Sequence, residues 1–257
     1  VRGRSLLWPL AVTLTALVAW EAVVAALRVK TLLLPRPSLV AGVLWSRAPL
    51  ILEHMWPTFY QIVLGFLLSL VGGVVVAVLL TYSEIVRKGF YPLIVVSQIV
   101  PKVAVAPLFV VWFGLGDLSR LLLAFLIAFF PIVINTATGL TSVDDDFVRM
   151  ARAYMGTRRQ IFTKIRLPHA MPLIFGGMKI SITLAVIGVV VAEFVAAQRG
   201  IGYLIVMANG LLDTPLMMAA IAALSLMGLA LYGIVAGLER LVVYWQVRTE
   251  TPRGGFA

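Results

Sequence analysis

Lys102 lies between Pro101 and Pro107 inside an apolar run, and Glu193 lies near the end of another. An ionisable group at membrane depth is unfavourable by about 2.5–3.5 kcal/mol on insertion scales, so it usually faces a cavity or a partner. A lysine where a helix is bent or broken can line a translocation path, and it would favour an anionic solute or phosphate there. Snorkelling or a structural pairing is the other reading of Lys102. Gln61, Gln98 and Asn135 lie in similar runs and join Lys102 and Glu193 as candidate path residues. Polar residues in such helices also hold neighbouring helices together. Glu193, close to Arg199 in sequence, carries a structural reading beside the path one.

Catalysis within this chain is not expected. There is no cysteine, His54 and His169 sit far apart without metal-ligand spacing, and the apolar runs hold no nucleophile–base pair or close carboxylate pair. The phosphate-loop pattern G-x-x-x-x-G-K-[ST] is absent, and Gly176-Gly177-Met178-Lys179 fails its spacing. No metal site and no cofactor is expected in the chain.

The elements that position these residues follow from composition. Of 257 residues 61% are hydrophobic and 12% charged, about half the charged share usual in a soluble domain. The charges fall between runs long enough to cross a hydrocarbon core, which needs about 20 residues of helix. An all-α polytopic membrane protein is expected, one transmembrane domain over 1–257 with about six transmembrane helices. The spans are read at 6–27, 55–83, 92–114, 121–143, 171–195 and 215–238. The first is too long, and too firmly followed by others, for a cleaved signal peptide. A short helix over 39–53, capped by Ser38, is expected to lie on the membrane surface, and 84–91, 114–120 and 198–214 to be turns or loops. Gly72-Gly73 offers close helix contact.

The net charge of +10 is assigned to loops facing anionic lipid rather than to nucleic acid, since no basic patch is interleaved with stacking aromatics. Six spans put both termini on one side. Arg2, Arg4, Arg87, Lys88, the cluster Arg149–Arg166, Arg240, Arg248 and Arg253 share that side. Arg28, Lys30, Arg36, Arg47, Arg120 and Arg199 lie opposite, so the termini and the cluster are expected in the cytoplasm.

That cluster is the densest polar feature, "RMARAYMGTRRQIFTKIRLPHAMP" at 149–172. Ser142 with Asp145 loosely matches a capping box, Gly156 can end the helix that follows, and Thr157 with Gln160 opens another. Two short helices meeting at a turn would form an ordered knob, more than a topology signal needs.

The order of spans resembles the membrane permease subunit of a bacterial ATP-binding-cassette importer, in the branch for nitrate, sulfonate, taurine and pyrimidine or riboflavin-type solutes. The resemblance rests on "LLPRPS", "PKVAVAPLFVVWFGLGDLSRLLLAFLIAFFPIVINTATGL", "QIFTKIRLPHAMP" and "VIGVVVAEFVAAQRGIGYLI", and covers nearly the whole chain. It implies a type I importer permease fold in the bacterial inner membrane. It also implies partners: ATPase subunits that bind ATP and Mg, a second permease copy or paralogue, and an extracytoplasmic substrate-binding protein. The loop at about 142–172 would be the family's EAA loop with its coupling helix, so Arg149, Ala151, Arg152, Tyr154, Met155, Gly156 and Thr157 become candidate ATPase-coupling residues. Arg149 stands where the family usually has Glu, and Met155 where it usually has Gly. The alternative reading is an ion-gradient-driven secondary transporter or channel, though no inverted repeat is evident and that class does not need such a knob.

Overall fold

The computed structural model describes residues 4–245, without the side chains of residues 4–6, 84, 86, 87 and 196. Arg2, Arg248 and Arg253, counted above for orientation, lie outside the described residues. The helices in chain order are α1 Arg4–Ala26, α2 Pro37–Ser46, α3 Ala48–Tyr82, α4 Glu84–Ser97, α5 Ala106–Phe113, α6 Asp117–Thr141, α7 Asp145–Ala153, α8 Arg158–Ile161, α9 Leu167–Ala196, α10 Ile201–Gly210 and α11 Thr214–Val242. Among the described residues there is no strand. Among the described residues five helices are long and apolar enough to cross a membrane, six if the bent pair Lys88–Ser97 and Lys102–Phe113 counts as one span. The chain is an all-α polytopic membrane protein.

Prolines explain where the chain breaks. Pro101 donates no N–H and disfavours helix at the residue before it. Accordingly α4 ends at Ser97, and the chain resumes as a 3₁₀ turn over Lys102–Val105, bent by 85° across the break. Pro107 falls in the first turn of α5, where a missing N–H leaves nothing unpaired.

Several expected boundaries shift. The surface helix ends at Ser46, and residues 48–53 open the 35-residue α3, because Pro49 also suits a first turn. Ser38 does not cap α2 by its own side chain. Its N–H and hydroxyl instead donate to the Glu21 carboxylate of α1, at 3.0 and 2.8 Å. The polar turn at 84–91 is helical and belongs to α4, α6 starts at Asp117, and the loop at 198–214 contains α10.

Tertiary contacts sort the single expected domain into two compact units, each assembled from pieces of the same long helices. The first takes 4–64, 103–124 and 186–228. Its core packs Ile51 of α3 with Ile201, Leu204, Ile205 and Ala208 of α10 and Leu216, Ala219, Ala220 and Ala223 of α11. Small residues there permit close helix approach. Arg47 reaches Asp213 at 2.8 Å, and Asp213 accepts the Leu216 N–H at the head of α11.

The second unit takes 65–102, 125–185 and 229–245. Here α6 packs against both α3 and α9 through glycines and hydroxyls. A Cβ at Gly73 would stand 2.7 Å from Ile132, and one at Gly139 3.0 Å from Ala170. Ser69 donates to the Phe125 carbonyl at 3.0 Å, and Ser181 to the Ala128 carbonyl at 2.6 Å. Lys179 of α9 pairs with Glu239 of α11 at 2.8 Å.

Candidate functional site

The basic loop is built by its caps. Ser142 returns its hydroxyl to the Gly139 carbonyl, and Asp144, not Ser142, caps α7 by accepting the Asp146 N–H at 2.9 Å. Asp145 and Asp146 fill the first turn of α7 and Arg152 its last, each sign at the helix end that favours it. At the other end Met155 donates to the Arg152 carbonyl at 3.0 Å and Gly156 to the Ala151 carbonyl at 2.9 Å. These paired bonds satisfy the last carbonyls around a left-handed residue.

That residue is Met155, at φ +59°, and not Gly156. Gly156 is required for a different reason: a Cβ on it would lie 2.6 Å from the Ala151 carbonyl oxygen. A side chain at left-handed φ is unfavourable by roughly 1 kcal/mol. Met155→Gly is therefore expected to tighten the turn, slowing amide exchange at residues 155 and 156 by about fivefold. Unchanged or faster exchange counts against this reading of the turn.

Thr157 then opens α8 with a complete capping box, its backbone N–H donating to Gln160 Oε1 at 2.9 Å. The expected second short helix is not separate, because the chain stays helical from Arg158 to Val195. Pro168 offers no N–H to the turn before it, and the chain widens into a π turn over Phe162–Arg166, closed by the Leu167 N–H on the Phe162 carbonyl, instead of stopping. The loop is one short helix joined by a fixed turn to the foot of a membrane span.

Val148 and Ile161 are buried and anchor the loop. Phe147, Met150, Tyr154 and Met155 are exposed, the last two at 82% and 90%. Contiguous large apolar side chains left outside a folded core mark an interaction surface. Arg152, Arg158 and Arg159 flank them as exposed cations. Arg149 is paired at 3.1 Å with Asp146 of its own helix, an exposed pair of small energetic weight.

The candidate path residues separate into two groups. Lys102 and Gln98 flank the break in the bent span; Lys102 Nζ lies 4.7 Å from the centre of the Phe130 ring, with no carboxylate partner among the described residues. Gln61, Asn135 and Glu193 are held by the scaffold. Asn135 Nδ2 donates to the Pro131 carbonyl at 2.8 Å, and its Cβ sits against Gly177. Gln61, 1% exposed, donates to Asp117 at 3.0 Å, and Asp117 also takes the Tyr60 hydroxyl and the Arg120 guanidinium.

Glu193, also 1% exposed, accepts the Thr58 hydroxyl at 2.8 Å and the Gly202 N–H at 2.7 Å. Its carboxylate caps α10. Gly200, at φ +115°, passes so close that a Cβ would stand 2.1 Å from Glu193 Oε1. The hub at Asp117 escapes a reading by residue type, although Asp117 and Arg120 at i, i+3 on a helix do announce a pair.

The model of the binding-protein-dependent transport system inner membrane component family matches residues 69–244, which include the bent span, the basic loop and α10. The chain belongs to that family. Over 93% of its length it is 39% identical to the riboflavin transport system permease protein of Chloroflexus aurantiacus, covering 91% of that protein. It is 33% identical to the formylaminopyrimidine transport permease of Halalkalibacterium halodurans, over 95% and 98% of the two chains. With the taurine transport system permease of Escherichia coli K12 it shares 29% over 93% and 92%. Membership makes the chain a multi-pass membrane component of a transport system, in a family where an EAA loop with a coupling helix is typical. An ion-gradient-driven carrier or channel is not favoured.

Proposed function

We propose that this permease carries a small anionic solute into a bacterial cell, driven by separate ATPase subunits that bind ATP and Mg. The observation that carries the reading is the coupling loop: a doubly capped turn presenting Tyr154 and Met155 outward beside Arg152, Arg158 and Arg159, which form no ion pair among the described residues. An ATPase subunit with an apolar groove and acidic rim fits that surface. Ala151 and Thr157 act inside the loop, through the carbonyl that closes the turn and the capping box. Both termini lie in the cytoplasm with the loop. A second permease copy or paralogue completes the path, and an extracytoplasmic binding protein delivers the solute.

The names of the relatives, with the resemblance of the sequence, point to a sulfonate, nitrate, taurine, or a pyrimidine or riboflavin-type precursor. Lys102 beside the broken span supports the anionic members of that range. Lys102→Met is expected to reduce uptake of an anionic solute by about tenfold, roughly 1.4 kcal/mol, and to spare an uncharged one. Equal uptake of both solutes by wild type and variant removes Lys102 from the path.

The whole reading is tested by reconstituting the permease with its ATPase and binding protein in liposomes. Uptake that requires ATP inside and stops with vanadate supports it. Uptake driven by an ion gradient without the ATPase overturns it.

A further inference from the structure

We propose that the concavity where α3 meets the coupling loop binds the phosphate of an anionic phospholipid headgroup. The cavity measures about 260 Å3 and lies within the second unit, with Thr81, Tyr82, Arg152, Arg158, Phe162 and Arg166 on its walls. The three arginines come from three segments: the last turn of α7, the first residue of α8 and the π turn. None of the three forms an ion pair among the described residues; the loop's acid–base pair is Asp146 with Arg149. Like charges gathered without an acid repel each other, and an anion among them removes the repulsion.

Arg166 supplies the second observation. Its Nε is buried and has no hydrogen-bond partner among the described residues, a state that buried donors rarely keep unless a water, an ion or a ligand completes them. Guanidinium groups present planar forks of N–H donors that match phosphate oxygens in pairs.

The location selects the source of the phosphate. Tyr82 closes the uncharged run of α3, and Arg158 to Arg166 lead into the apolar α9, so the cavity lies at the polar ends of two apolar helices. Basic pockets between spans at that level take anionic headgroups. The Tyr82 and Phe162 rings, 5.5 Å apart, are the amphipathic and apolar groups expected at headgroup depth. An acidic side chain of the ATPase is the competing occupant, but the protruding surface is the Tyr154–Met155 tip rather than this recess.

The test is native mass spectrometry of the full chain, offered equal amounts of phosphatidylglycerol and phosphatidylcholine. Wild type is expected to retain phosphatidylglycerol about tenfold over phosphatidylcholine, because a basic cavity favours a headgroup of net negative charge over a zwitterionic one. Arg158→Gln with Arg166→Gln should bring that ratio near one. Arg159→Gln with Lys164→Gln, an equal loss of charge outside the cavity, should leave it unchanged. Circular dichroism checks that each pair folds. If the glutamine pair does not fold, Arg158→Lys with Arg166→Lys replaces it and should lower the ratio at constant charge. No preference in wild type, retention of the preference by the cavity pair, or an equal loss in the control pair overturns the proposal. Displacement by inorganic phosphate alone would assign a free-phosphate site instead. Loss of ATPase capture by the cavity pair with lipid preference intact would assign the cavity to the partner protein. Either result also overturns the lipid reading.

Discussion

Glu193→Ala is expected to destabilise the folded chain by about 3 kcal/mol, seen as a fall of several degrees in the melting temperature in detergent. The carboxylate is buried and serves two donors, Thr58 and Gly202, while Thr58 in turn accepts the Ile201 N–H at 2.8 Å. Alanine leaves the head of α10 without its cap and opens a space beside Gly200, each harmful by roughly 1–2 kcal/mol. Since α10 supplies four of the nine buried residues of the core shared with α3 and α11, the loss spreads through that unit. Glu193→Gln keeps the shape and one acceptor oxygen, so its effect should be about a third as large. Alanine and glutamine variants of equal stability would show that the carboxylate is not acting as a cap.

Tyr154→Ala is expected to leave membrane insertion and melting unchanged and to reduce ATP-driven uptake by about thirtyfold. The side chain is 82% exposed and makes no hydrogen bond among the described residues, so its removal should not disturb the fold. An exposed aromatic at the tip of an ordered turn is the kind of residue that carries an interface, commonly worth 2 kcal/mol or more there. Arg152→Glu should act in the same direction by reversing a charge next to it. Co-purification of the ATPase reports the contact directly, and wild-type capture with wild-type uptake in Tyr154→Ala would remove the tip from the interface.

The spans were legible because each is a long uncharged run, and the break at Pro101 because proline removes a donor. The capping box at Thr157 was legible for the same local reason: Thr and Gln three apart satisfy each other's backbone. What escaped depended on distant partners. Residues 201–210 read as a loop because their apolar face gains its meaning only from Ile51 and the α11 alanines. Glu193 and Gln61 carried a structural reading beside the path one, because membrane depth makes any polar group conspicuous. Their type does not reveal that Thr58, Gly202 and Asp117 already occupy them. At Met155 a residue unsuited to left-handed backbone holds that position, while Gly156 next door is the residue type that suits it.

The clasp between Glu21 and Ser38 bears on how the protein is made. A chain emerging from its N-terminal side brings Glu21 to the bilayer ahead of Ser38, whose two donors cover the carboxylate and follow 17 residues later. Until then the first span carries an uncovered acid, a burden of about 2.5–3.5 kcal/mol on insertion scales if charged at the centre. Covering it requires α2 to fold back against α1, so the first two helices enter their final arrangement as a pair. Biogenesis of the N-terminal region thus has a built-in order: the span waits for the short helix behind it.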